Sequence, residues 1–171
     1  MDQNTFDTLD HESLASACFK PLIAAYKEIE SCGGDFSAQL YPKLTKGQQA
    51  LFVFRTHYLH AVQTPSDYYW WTAYYLAQPL RWTALLKSVQ FFGDSDAAQL
   101  LIRTEQALRQ RNHPRSLSSF DVSLQDLDHD SKLQDEMNAH YDSYLELSKQ
   151  TLALIARHIR SHRDQFVQLN P

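Results

Sequence analysis

An aromatic block at residues 68–75, YYWWTAYY, is the feature that most constrains how this chain can fold. Six of its eight residues are aromatic, and Pro65 and Pro79 stand on either side of it. Proline fits the first turn of a helix but disrupts a helix interior. The pattern therefore predicts a helix that begins near Thr64, with Pro79 either closing it or starting the next one.

The aromatic side chains of this helix point to more than one side. At 100° per residue, Tyr68, Trp71 and Tyr75 share one face, whereas Trp70 and Tyr74 lie roughly opposite. Each ring can bury about 150–250 Å², and the neighbouring amphipathic segments need a large surface to pack against. We predict that most of the block is core. The side with Trp70 and Tyr74 could meet this chain's own helices, a second copy or another molecule.

Composition and periodicity predict an all-α fold. The 171 residues include only 4 Gly and 6 Pro, and no convincing strand pattern occurs. Apolar residues recur at helical spacing in about six segments, the last from about residue 131 to 166. We expect residues 1–171 to form a single-domain helical bundle with a long C-terminal helix. Residues 1–10 should be frayed, and residues 113–130 should form an irregular acidic connector.

Charge is unevenly placed along the chain, although the net charge is only −4. Residues 116–146 hold eight acids and one Lys, a sum of −7. A solvated loop that caps the last helix is the favoured reading, with an acidic docking surface for a basic partner as the alternative. Such charges would raise association rate and specificity more than affinity. The residues proposed for this contact are Asp126, Asp128 and Asp130.

The aromatic block is a second candidate for partner binding. Tyr69, Trp70 or Tyr74 could stack on a partner, and Arg81 lies close enough in sequence to join through a cation–π contact. Because the chain is acidic and has no continuous basic groove, homodimerisation is favoured over base stacking. Nucleic acid is therefore not expected as a partner, although the basic C-terminal end leaves that as a third hypothesis.

Two histidines three residues apart, His57 and His60, are candidate metal ligands because this spacing puts both rings on one helix face. Neither belongs to an HExxH motif, so further ligands would have to come from other helices. His158 and His162 are better explained as part of a cationic patch near a helix C-terminus. We find no phosphate-binding loop or nucleophile elbow, and we predict no cofactor.

The cysteines and the N-terminus indicate a reducing compartment. Cys18 and Cys32 do not form a disulfide framework, and the polar start of the chain lacks the features of a signal peptide. No apolar run approaches the roughly 20 residues that span a bilayer. We therefore expect a cytoplasmic protein with free thiols and no membrane contact.

Two hydrophobic motifs within residues 65–167 resemble a family of small all-helical bacterial proteins of unknown function that includes DNA-mimic proteins. The resemblance implies an all-helical, often dimeric, non-catalytic protein. One motif is the Gly93-centred turn followed by AAxLL at residues 97–101. The other is LxxLD at residues 124–128, ahead of a long helix that ends IRxHxxxF at residues 159–166.

The sequence thus predicts a non-enzymatic interaction or regulatory module. The alternative is a metal-binding helical-bundle protein or enzyme that uses His57 and His60.

Overall fold

The computed structural model describes residues 2–167, and all their regular secondary structure is helical. The all-α prediction is confirmed, including the long C-terminal helix, which has 31 residues. The predicted main helices are all present, together with three shorter ones. In chain order they are α1 (Gln3–Thr8), α2 (His11–Ser31), α3 (Phe36–Gln39), α4 (Lys46–Ala61), α5 (Pro65–Leu76), α6 (Pro79–Phe91), α7 (Ser95–Gln110), α8 (Asp126–His129) and α9 (Ser131–Ser161).

The described residues group into two compact units. One comprises the chain up to Phe52 together with the residues from Leu152 onward, and the other runs from Val53 to Thr151. The division falls within α4 and within α9. The aromatic block and all the predicted site residues belong to the second unit, which is therefore the focus below.

The first unit has an aromatic core. The rings of Phe36 and Phe52 lie 4.8 Å apart between centroids, and Phe19 lies 5.9 Å from Phe52. The N-terminal residues expected to be frayed include α1, which Asp2 caps by accepting a hydrogen bond from the Thr5 amide. The single buried residue of that helix is Phe6.

The core of the second unit is built on the inner side of α5. Tyr68, Tyr69, Tyr75 and Leu76 are buried, as expected for a helix with aromatic residues on several sides. Tyr68 packs against Tyr144 of α9, with ring centroids 4.9 Å apart. The prediction that most of the block is core is thus confirmed, since five of its eight residues are buried: Tyr68, Tyr69, Thr72, Ala73 and Tyr75.

Local sequence signals explain where several helices begin. Thr45 and Gln48 bond reciprocally: each side-chain oxygen accepts from the other residue's amide, at 3.1 and 3.0 Å. Thr64 caps α5 through the Asp67 amide. Gly93 adopts φ +83°, a left-handed conformation that suits glycine, and turns the chain from α6 into α7.

The C-terminal helix ends earlier than the sequence pattern predicts. It stops at Ser161, and residues 163–165 form a 3₁₀ turn instead. The Ser161 hydroxyl bonds back to the Arg157 and His158 carbonyls, a local alternative to continued helix. Phe166 then lies against Gly47, where an added Cβ would come within 2.4 Å of its ring.

Candidate functional site

The outer side of α5 carries a group of aromatic rings at the protein surface. We call this group, made of His60, Trp70, Trp71, Tyr74 and Phe120, the aromatic cluster. His60 is exposed and the other four are half-buried. The cluster draws on the end of α4, on α5 and on the irregular segment after α7.

The rings contact one another in a fixed pattern. Trp70 and Tyr74 are nearly parallel, at 10° and 5.1 Å between centroids, because they lie four residues apart on one helix. Trp71 and Phe120 meet both rings at close to right angles, with centroids 5.0 to 5.7 Å away. His60 stacks on Trp71 at 3.9 Å and 17°.

This spacing decides where a ligand could bind. A group inserted between two parallel rings would need about 7 Å, twice the usual 3.5 Å contact distance. Trp70 and Tyr74 are closer than that, so they do not form the two walls of a cage. A ligand would have to lie on the outer surface of the cluster, which acts as a platform.

The irregular segment is held in place by Trp70. The indole Nε1 donates a hydrogen bond to the Val122 carbonyl at 3.1 Å, and the Val122 side chain is buried. This bond positions Phe120 against Trp70 and Tyr74. The sequence predicts residues 113–130 as an irregular connector, and Phe120 is not among the predicted site residues. The apolar alternation of Phe120 and Val122 was the signal that one side of this segment packs inward.

Tyr69 belongs to the interior rather than to the platform. Its exposure is 0%, and its hydroxyl donates to Asp126 Oδ2 at 3.0 Å and lies 2.8 Å from His113 Nε2. Burial, followed by the contact with Asp126, raises the pKa of Tyr69 well above its usual value. The phenol is therefore neutral and has no surface on which a partner could stack.

The three aspartates predicted to contact a partner have different environments. Asp126 is half-buried and accepts the Ser123 amide as well as the Tyr69 hydroxyl. Asp130 caps α9 by accepting a hydrogen bond from the Leu133 amide, and it also forms an ion pair with Arg111. Both contacts lower the pKa of the Asp130 carboxyl, and the bond from Leu133 has the larger effect. Asp128 is exposed. The helix-capping interpretation therefore applies to Asp130.

Arg81 is exposed at the start of α6. Its neighbour Trp82 points inward and donates its indole N–H to Glu105 at 2.7 Å. Glu105 also pairs with Arg109 and Arg115, so this carboxylate has three donors. A cation–π contact between Arg81 and the aromatic block stays a prediction.

The structure gives His57 and His60 different surroundings. His57 is buried, with Nδ1 3.2 Å from the Tyr144 hydroxyl and Nε2 3.3 Å from the Thr72 hydroxyl. Burial lowers the pKa of His57 to about 3, so the ring is neutral. His60 is part of the aromatic cluster. Within residues 2–167, no three His, Cys, Asp or Glu side chains come together as a metal-binding group.

Other features of the described chain add little chemistry. A pocket lined by Leu85, Val89 and Leu101 has room for little more than a water molecule. Cys18 is buried, which raises the pKa of its thiol to about 11, and Cys32 is exposed. Among residues 2–167, no helix has both the length and the apolarity to cross a membrane.

Comparison with known proteins gives no match to a protein family, to a curated protein or to a solved structure. The resemblance to the family that includes DNA-mimic proteins therefore stays a prediction that rests on its two motifs.

Proposed function

We propose that the chain is a non-enzymatic interaction module that binds a cationic segment of a partner protein on the aromatic cluster. The observation that carries this proposal is the platform itself. Four half-buried rings and one exposed ring are fixed against one another at the surface. Aromatic side chains of this kind are enriched at protein interfaces, where they act as rigid anchors.

The charge around the platform favours a cationic partner. Asp121 follows Phe120 directly and is exposed. Asp67 lies in the first turn of α5 and interacts electrostatically with His60. Burial lowers the pKa of His60, and the negative charge of Asp67 partly opposes this effect. The stretch 116–146, which supplies Phe120, sums to −7 in formal charge. A cationic partner would therefore be attracted from solution and meet carboxylates beside the rings.

Arginine is the cation that fits this surface best. A guanidinium is planar and stacks on the face of an aromatic ring, with each exposed contact contributing about 0.5–1 kcal/mol. A single contact of this size gives negligible affinity. Useful binding would require several cations along one segment, with rings and carboxylates contacted together.

Peptide binding tests the proposal directly. An arginine-rich peptide should change the fluorescence of Trp70 and Trp71, and the affinity should fall as salt rises. The same peptide with Gln in place of Arg should bind at least about tenfold more weakly, the loss of two to three such contacts. Trp71→Ala and Asp121→Asn should weaken binding, whereas Leu80→Ala should not, because Leu80 is 89% exposed on α6 outside the cluster.

Two results would contradict the proposal. Equal binding of the Arg and Gln peptides would show that charge plays no part. Sedimentation that reports a dimer, disrupted by Trp71→Ala, would assign the platform to a second copy of the chain. This second outcome is the homodimer expected from the sequence.

A further inference from the structure

His60 covers one face of the Trp71 indole in the aromatic cluster. The two rings are stacked, with centroids 3.9 Å apart and planes 17° from parallel. Trp71 also packs against the buried residues Tyr68 and Tyr144, whereas His60 is exposed. The imidazole therefore lies on the solvent side of the indole, where a partner would approach it.

The stack on Trp71 is what holds the His60 side chain. Within residues 2–167, it is the only ring contact of His60, and no group hydrogen-bonds to the imidazole. His57, one turn earlier on α4, is instead buried and lies within hydrogen-bond distance of the Tyr144 and Thr72 hydroxyls. Exposed side chains change rotamer within nanoseconds, so the His60 ring can leave Trp71 when another group competes for that face.

The position of the His60 ring suits a guanidinium better than an imidazole. Asp67 precedes Trp71 by four residues, which places both on one side of α5, and it interacts electrostatically with His60. Its Oδ2 accepts a hydrogen bond from the Thr64 hydroxyl at 2.6 Å, which orients the carboxylate. Burial lowers the pKa of His60 below its usual 6.5, so the ring is neutral above pH 7. A guanidinium in its place would stack on the indole and bring a full positive charge toward Asp67.

We propose that His60 is a displaceable cover on Trp71, and that an arginine of the partner takes its place on binding. This inference rests on the proposed function and adds a selection step to the same site. The free protein keeps the indole face covered, so the apparent affinity falls in proportion to the fraction of uncovered molecules. A group must stack on Trp71 better than a neutral imidazole in order to bind, which favours arginine over uncharged side chains.

Removal of the imidazole tests the inference directly. His60→Ala should bind the arginine-rich peptide about three- to tenfold more tightly than wild type, because an aromatic pair no longer competes with the peptide. His60→Phe keeps a stacking ring and should not bind more tightly than wild type. Leu59→Ala is the matched control, since Leu59 is 39% exposed at the neighbouring position of α4, and its affinity should match that of wild type.

Proton NMR follows the displaced ring itself. Protons above the face of an indole are shifted upfield, so the ring protons of His60 should show this shift in free wild-type protein. Saturation with the arginine-rich peptide should move them downfield, toward the values of an unstacked histidine. The Gln peptide should leave them unchanged.

The outcomes separate this inference from the proposed function. Peptide affinity that is unchanged or weaker in His60→Ala would overturn the inference and leave the platform as the binding surface. An upfield shift of His60 that persists in the saturated complex would overturn it as well. If neither wild type nor His60→Ala binds the peptide, the proposed function itself is contradicted, and the inference is lost with it.

Discussion

Asp94 and Thr151 form a buried hydrogen bond at 2.7 Å between the start of α7 and the middle of α9. Asp94 also caps α7 by accepting the Ala97 amide at 2.9 Å, and its exposure is 0%. One carboxylate therefore both begins a helix and fixes it to another. Thr151 also donates to the Leu147 carbonyl within α9, so its hydroxyl keeps a partner if Asp94 is removed.

Replacing Asp94 should destabilise the fold. Asp94→Ala leaves the Ala97 amide without its cap and removes the contact to α9, which together should cost about 2–3 kcal/mol. Denaturant unfolding measures this loss. Asp96→Ala, an exposed substitution in the first turn of the same helix, should change stability by less than about 0.5 kcal/mol. Equal losses in the two variants would contradict the assigned role of Asp94.

The buried imidazole of His57 should make stability depend on pH. Burial lowers its pKa from 6.5 to about 3, so below pH 6.5 the unfolded chain binds a proton that the folded chain excludes. Stability due to this group is complete above pH 6.5 and is lost as the pH falls toward 3. Its contribution to the slope is about 1.4 kcal/mol per pH unit.

A comparison of two histidine variants checks this slope. His57→Gln should lower stability at neutral pH, because it disturbs the contacts with Thr72 and Tyr144. Between pH 6.5 and pH 4.5, however, the stability of this variant should fall less steeply than that of wild type, by about 1.4 kcal/mol per pH unit. His60→Gln should keep most of the slope, since His60 is exposed. Identical slopes in wild type and His57→Gln would refute the prediction.

The indole of Trp70 should control how firmly residues 120–122 are attached. Trp70→Phe keeps an aromatic ring but removes the donor to the Val122 carbonyl, at a cost of about 1 kcal/mol. Limited proteolysis within 113–125 should become faster as a result. Trp71→Phe is the matched control, because the Trp71 ring belongs to the same cluster and contacts both Trp70 and Tyr74. Unchanged proteolysis in Trp70→Phe would argue against this attachment.

The two thiols should differ in reactivity. Cys18 is buried and burial raises the pKa of its thiol to about 11, whereas Cys32 is exposed. Because the thiolate is the reactive form, a thiol reagent should label only Cys32 in native protein and both residues in denaturant. Cys32→Ser should then remove native labelling. Rapid labelling of the native Cys32→Ser variant would show that Cys18 is accessible.

Local signals allowed much of the fold to be predicted from the sequence. The start of α5 at Pro65, predicted near Thr64, depends on residues a few positions apart. Helical spacing of apolar residues likewise predicts about six helical segments, and in α7 the apolar residues Leu100, Leu101 and Leu108 are buried. Such features follow from backbone geometry and need no knowledge of what packs where.

The candidate site depended instead on contacts between distant residues. Periodicity placed Trp70 and Tyr74 on one side of α5, but it could not show that Phe120 covers part of that side. The sequence predicts Tyr69 as a possible stacking residue of the aromatic block, but Tyr69 lies 100° around the helix from Trp70 and is buried. Which helix face is covered is decided by tertiary packing.

The attachment of residues 120–126 to α5 has a practical consequence for engineering the chain. Ser116, Ser118 and Ser119 are exposed and bond to one another, so a tag or a cleavage sequence inserted there should be tolerated. An insertion after Phe120 would instead separate Phe120 from Val122, and both of these residues contact Trp70 of α5. Residues 116–119 should therefore tolerate a longer chain, whereas residues 120–126 should not, because they are attached to α5.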